Sequence, residues 1–318
     1  MIEVKDLVKK YGSHLAVDHL SFTLESGKIY GFLGPNGAGK STTMNIMTGY
    51  LGATQGSVLI DGHDILKEPE EAKKHIGYLP ELPPLYMDMT VQEYLEFAAE
   101  LKKLPKEKRE SDISEVMKLT RLQDVSDRLI KNLSKGYKQR VGLAQAILGF
   151  PEIIILDEPT VGLDPKQIIE IRELIRTLSK KHTVILSSHI LAEVREVCDY
   201  ILIISKGKLV ASDTPENLEL LRNGASSLEL EVKAAPETAR VILSTIDDIG
   251  AMEMHSENEN LTRVKLETKN GADIREAIFY AFAEEKCPLL EMKTAKASLE
   301  DIFMELTQKE ESNDAGNL

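Results

Sequence analysis

With 318 residues, 42% hydrophobic and 29% charged, the chain has a globular composition and room for one large or two ordinary domains. Its net charge of −13 argues against nucleic acid as the main partner, since phosphate backbones bind basic surfaces. No apolar run approaches the ~18 residues of a membrane span, and the N-terminus does not read as a signal peptide. Cys198 and Cys287 lack metal-site spacing, so reduced cytoplasmic thiols are expected.

Residues 2–7 alternate apolar and polar like an edge strand, and residues 20–24 repeat the pattern. Between them Tyr11 offers a flat aromatic face that can stack on a purine. Residues 28–33 form a buried strand, followed by Gly34-Pro35-Asn36-Gly37-Ala38-Gly39-Lys40-Ser41-Thr42 and a helix over residues 41–49. This fits G-x-x-x-x-G-K-[ST], a loop that turns backbone N–H groups inward around phosphate. Lys40 can reach the β- and γ-phosphates, and the Ser41 hydroxyl can ligate Mg²⁺. The chain is therefore expected to bind ATP or GTP.

Residues 57–62 read as strand and turn, and residues 75–80 as a strand that delivers Glu81 into a proline-rich loop. Behind a phosphate loop, that carboxylate can serve Mg²⁺ or the attacking water. Two helical patterns, residues 91–104 and 106–119, carry no strand signal and form a helical insertion. Leu133-Ser134-Lys135-Gly136-Tyr137-Lys138-Gln139-Arg140 then opens another helix, with Ser134 as its N-cap. Residues 152–156 are a near-continuous apolar strand ending in Asp157 and Glu158, where parallel sheets place their chemistry. Asp157 is expected to hold Mg²⁺, and Glu158 to polarise the attacking water as a general base. A further buried strand over residues 183–188 ends in His189, positioned to hydrogen-bond a γ-phosphate. A hairpin over residues 201–210 and a short helix from 215 to about 224 follow.

Beyond residue 224 the character changes. From Ser226 onward ten Lys/Arg face twenty Asp/Glu, so −10 of the total charge sits in this segment. Strands at 228–232, 252–254, 261–266 and 289–293 alternate with helices at 236–249 and 272–285. That βαββαβ order is ferredoxin-like. A last helix is expected from Ser298, and the polar tail at 309–318 is expected to be disordered.

Together these motifs resemble the ATP-binding cassette (ABC) ATPases, over about residues 2 to 220. Residues 34–42 are similar to the family's Walker A loop and residues 153–158 to its Walker B with catalytic glutamate. Residues 133–140 resemble the ABC signature, Gly162-Leu163-Asp164 the D-loop, His189 the switch histidine and Tyr11 the adenine-stacking aromatic. Lys135 and Tyr137 replace the usual Gly and Gln of the signature, while Ser134 and Gly136 are kept. Glu81 stands where the Q-loop usually has glutamine. These departures resemble the type-two exporter branch, whose permeases move drugs, lipids, polysaccharides or ions outward.

The resemblance implies an α/β P-loop fold over residues 1–222, with a RecA-like core, an antiparallel β subdomain and a helical subdomain at about 85–150. A ferredoxin-like domain would occupy 226–308. It further implies a cytoplasmic ATPase, peripheral on the inner face of the cell membrane and without nucleic acid as a ligand. Two copies would sandwich ATP, with Ser134, Gly136 and Asp164 of one meeting the nucleotide of the other, and a separate permease would bind near residues 82–90. The competing expectation is a soluble ABC ATPase of translation or DNA repair.

Overall fold

The computed structural model describes residues 1–220, 227–258, 260–269 and 272–295. The chain divides into two compact units, Met1–Thr214 and Pro215–Leu318, so the break falls before the helix Pro215–Leu220.

The centre of the first unit is a six-stranded sheet. Its order is Lys208–Asp213, Tyr200–Ser205, Ile29–Leu33, Thr183–Ser188, Ile153–Leu156, Ile76–Leu79. All neighbours pair in parallel except the closing hairpin Tyr200–Ser205 with Lys208–Asp213. Ile29–Leu33, Ile153–Leu156 and Thr183–Ser188 are buried at every residue, as strands covered on both faces must be. Their uncharged sequences follow from that burial. Since the strands are parallel, their carboxyl ends meet along one edge, and the loops carrying residues 34–42, 81, 157–158 and 189 leave from it.

A second, antiparallel sheet has the order His14–Leu24, Ile2–Tyr11, Gln55–Ile60, His63–Asp64. The first strand, expected at an edge, is flanked on both sides, by His14–Leu24 and by Gln55–Ile60. Apolar–polar alternation reports one buried face and says nothing about lateral position, which the hairpin with His14–Leu24 and the long-range pairing with Gln55–Ile60 decide. Ile2, Leu7, Leu20, Leu24 and Ile60 fill a shared core with Phe32 and Met44 of the larger sheet's layer.

The helical insertion comprises Val91–Leu101, Lys106–Thr120 and Lys135–Ile147. Thr90 and Glu93 close a reciprocal capping box on the first of these. Among the described residues no helix is long and apolar enough to cross a membrane.

In the second unit four strands form one antiparallel sheet, ordered Ile249–Asn258, Leu261–Thr268, Ser227–Val232, Leu289–Ala295. The helices Pro236–Leu243 and Arg275–Glu284 contribute Leu243, Ile278 and Phe282 to the core beneath Leu230, Val232 and Leu266. This is the ferredoxin-like arrangement expected from the element order. One helix is shorter than expected, ending at Leu243, and the second strand is longer, spanning Ile249–Asn258. The expected last helix from Ser298 and the tail lie outside the described residues.

Candidate ATP site

The loop of residues 34–42 joins the strand Ile29–Leu33 to the helix Lys40–Met47. Two of its glycines are enforced by close packing. A Cβ on Gly34 would sit 2.3 Å from the Ile204 carbonyl oxygen, and one on Gly39 2.4 Å from that of Ala16. Gly39 is also the helix N-cap, in the left-handed region at φ 101°, and no side chain caps the helix. The first N–H groups of the helix are therefore left for an anion, which the dipole end also favours.

Lys40 is 5% exposed. Its ammonium donates to the carbonyls of Gly34 (2.7 Å) and Pro35 (3.2 Å) and lies 3.9 Å from Glu158 Oε1. Burial pushes its pKa down, opposed by the charges of Glu158, Asp157 and Glu81. The Ser41 hydroxyl donates to Asp157 Oδ1 at 3.1 Å, across 116 residues of sequence. A hydroxyl with two nearby carboxylates, Asp157 and Glu81, is the hard-oxygen donor set that suits Mg²⁺.

Glu158 is 7% exposed and adopts a left-handed backbone at φ 47°, which costs a non-glycine residue strain. Two neighbours hold it there. Its N–H donates to Ser187 Oγ at 2.8 Å, and its carboxylate lies 3.0 Å from His189 Nδ1. The same Ser187 hydroxyl donates to Asp157 Oδ1 at 2.6 Å. Ser187 was not singled out in the sequence, although a polar pair, Ser187 and Ser188, closing a buried strand was the available signal.

Tyr11, Asn36, Gly37, Gly39, Lys40, Ser41, Thr42, Glu81, Glu158 and His189 all line one open cleft of about 530 Å³. His14, Ala16 and Val161 join them and were not anticipated. Tyr11 is 49% exposed at the rim, with the Lys9 ammonium 5.2 Å from its ring centroid. Asp157 reaches the cleft through Ser41, and both line an adjoining cavity with Glu81. Pro35 contributes its carbonyl to Lys40, while Ala38 is buried in the core behind the loop.

Ser134, Gly136 and Asp164 are not among the cleft's walls. Ser134 caps Lys135–Ile147, accepting from the Tyr137 N–H at 3.4 Å, and Asp164 caps Pro165–Leu178 through the Gln167 N–H at 3.0 Å. A Cβ on Gly136 would meet the Gln167 side chain at 2.5 Å, so one residue touches both the signature helix and the D-loop helix. Gln139 reinforces the link by donating to the Pro159 carbonyl, next to Glu158.

Removing the Ser187 hydroxyl frees the Glu158 amide and Asp157 together. Ser187→Ala is expected to lower ATP turnover by about 10- to 150-fold, the 1.5–3 kcal/mol of charge-assisted bonds expressed as rate. Nucleotide affinity should stay near wild type, because Lys40 and the loop are untouched. Steady-state turnover alongside a nucleotide titration checks this, and parallel losses in both would place Ser187 in binding instead.

Residues 17–161 match the ABC transporter family. The chain is 35% identical to the bacitracin transport ATP-binding protein of Bacillus licheniformis, over 96% of this chain and 97% of that one. It is 36% identical to an uncharacterised ABC transporter ATP-binding protein of Bacillus subtilis, over 96% of both chains. A linearmycin resistance ATP-binding protein of the same organism is 30% identical over 96% of this chain and 98% of that one. Among solved structures, an ATP-binding subunit of an ABC transporter superposes with TM-score 0.64 at 32% identity, covering 70% of this chain and 92% of the other. A dimeric cassette in a post-hydrolysis state, bound to ADP and Pi, superposes with TM-score 0.62 at 26% identity, covering 67% and 98%. The cleft, the two carboxylates behind the phosphate loop and this likeness along nearly the whole chain have one meaning: the protein belongs to the ATP-hydrolysing, ATP-binding subunits of ABC transporters.

Proposed function

We propose that the protein is the ATPase of a type-two ABC exporter, closing as a homodimer around ATP to drive a separate membrane permease. The observation that carries this reading is the division of the site. The cleft gathers the cation, carboxylates and histidine, while Ser134 and Gly136 sit on a different helix N-terminus, which in this reading a second copy supplies. In a head-to-tail pair, Ser134, Gly136 and Asp164 of one copy would face the γ-phosphate held by the other.

Within each cleft Tyr11 stacks on the adenine, and Lys40 with the free N–H groups of its helix holds the β- and γ-phosphates. Ser41, Asp157 and Glu81 would hold Mg²⁺, which when bound offsets phosphate charge. Glu158 takes the proton of the attacking water, and His189, hydrogen-bonded to that carboxylate, contacts the γ-phosphate. Glu81, being anionic where glutamine is usual, adds charge on the Mg²⁺ side.

The bacitracin transport and linearmycin resistance relatives support outward movement of a drug-like cargo. A permease would dock on the exposed apolar loop after Glu81. Leu82 is 81% and Tyr86 55% exposed, and Tyr86 is braced edge-on against Phe97 at 5.2 Å. The protein then lies on the cytoplasmic face of the membrane, held by that partner.

Fractionation of native cells tests this. The wild type is expected to sediment with membranes, and Leu82→Asp to move mostly to the soluble fraction while its ATP turnover in isolation is retained. Wild-type protein in the ribosomal or nucleoid fraction would favour the translation or DNA-repair role and remove the transporter reading.

A further inference from the structure

The carboxyl ends of the parallel strands carry the ATP chemistry, but a second cluster of ligating groups sits at their amino ends. His75 immediately precedes Ile76–Leu79, and Glu152 precedes Ile153–Leu156. Ile76 pairs with Ile153, and the Ile153 N–H donates to the His75 carbonyl at 2.9 Å, so the two side chains are held abreast. Four residues of strand, about 13 Å, separate this end from Glu81 and Asp157.

Asp61 arrives from the antiparallel sheet. It sits with Gly62 in a two-residue turn, both left-handed at φ 48° and 87°, between Gln55–Ile60 and His63–Asp64. Backbone pairing thus fixes His75 beside Glu152 in one sheet and the Asp61 turn in the other. The ligand atoms of Asp61, His75 and Glu152 all lie within 4.8 Å of one another.

We propose that Asp61, His75 and Glu152 form a binding site for a divalent transition-metal ion of the Zn²⁺ class, with His63 as a fourth ligand. The His63 ring lies nearly parallel to His75, 14° between planes and 6.1 Å between centroids. Its Nδ1 is meanwhile 3.4 Å from Glu68 Oε1. Two imidazoles with two carboxylates match the borderline-soft preference of Zn²⁺, whereas Mg²⁺ and Ca²⁺ take all-oxygen sets.

The charge balance points the same way. Among the described residues no Lys or Arg pairs with Glu152, whose ion-pair partner is His75 at 3.3 Å. The cation facing Asp61 is the Met1 amine at 3.7 Å, half-exposed and therefore weakly held. A metal ion would neutralise both carboxylates. It would also clip the Asp61 hairpin to the amino ends of the core strands, joining two sheets of the first unit. Contraction from 4.8 Å to the ~3.4 Å donor spacing of tetrahedral Zn²⁺ needs only side-chain rotation, since Glu152 and Asp61 are exposed.

The test titrates chelator-stripped full-length protein with ZnCl₂ in the absence of nucleotide, reading heat and thermal midpoint. Co²⁺, whose visible absorption reports nitrogen ligation, serves as a second probe. The wild type is expected to take a single ion, with a rise in midpoint. His75→Gln should lose about 100-fold in affinity, the upper end of what even an outer-shell change costs a metal site. Mg-ATP turnover should be unaffected by the substitution. If His75→Gln fails to fold, the exposed Asp61→Asn and Glu152→Gln variants give the same reading. Absence of Zn²⁺ binding in the wild type, or equal binding in the folded variants, overturns the site.

Discussion

Glu158→Gln is expected to bind ATP with near wild-type affinity and to hydrolyse it at least about 100-fold more slowly, the lower bound for losing a general base. Glutamine keeps the shape, the left-handed backbone and the contact to Ser187, so the cleft stays built. What it loses is the basic oxygen proposed to accept the water proton. His189 Nδ1, at 3.0 Å from the carboxylate, can still meet an amide oxygen, so the placement of His189 proposed to serve the γ-phosphate also survives. A site that closes on ATP but cannot turn it over accumulates in the closed state. Size-exclusion chromatography should therefore show a monomer that becomes a dimer only with Mg-ATP. Turnover at the wild-type rate would remove Glu158 as the base. An elution volume unchanged by Mg-ATP would show that nucleotide alone does not close the isolated pair.

The parts of the site that were legible in the sequence are those fixed within a few consecutive residues. The phosphate loop needs glycines and one lysine at set spacing, and the strand Ile153–Leu156 announces its two carboxylates by its apolar run. Ser187 was not legible, because its role exists only once strands pair. Leu156 lies opposite Leu186, and that register carries Asp157 alongside Ser187 one residue later. The central place of Ile2–Tyr11 had the same origin, since alternation reveals a face while the distant strand Gln55–Ile60 supplies the second neighbour. In the C-terminal unit the element order was readable from alternation, but the length of Ile249–Asn258 was not. Its exposed polar residues Glu253 and His255 dilute the signal, and pairing with Leu261–Thr268 sets its extent. Ser134 and Asp164 read from sequence as nucleotide contacts, and the single chain uses both as helix caps. A cap presents free N–H groups just ahead of itself, so both roles draw on one local geometry.

Lys40→Ala tests the opposite half of the mechanism. It is expected to weaken ATP binding by about 10- to 150-fold, the 1.5–3 kcal/mol of a charge-assisted contact expressed as affinity. The magnitude follows from what remains. Without the ammonium, the triphosphate would share the cleft with Glu158, Asp157 and Glu81, whose charges now face Lys40. The fold should not suffer, because burial disfavours this cation and, among the described residues, its hydrogen bonds go to the loop carbonyls of Gly34 and Pro35. The sign of the pH dependence follows. With its pKa depressed in the folded state, Lys40 is protonated more readily in the unfolded chain, so its contribution favours folding as pH rises toward the ordinary lysine value. The variant should lack that increment and be no less stable near neutrality. A nucleotide titration and a thermal melt of the same preparation separate the two effects. Weak binding with an unchanged melt assigns Lys40 to the phosphates, whereas a lowered melt with intact affinity would make it a structural residue of the loop. Set beside Glu158→Gln, which keeps affinity and loses turnover, the pair divides the cleft into a half that holds ATP and a half that cleaves it.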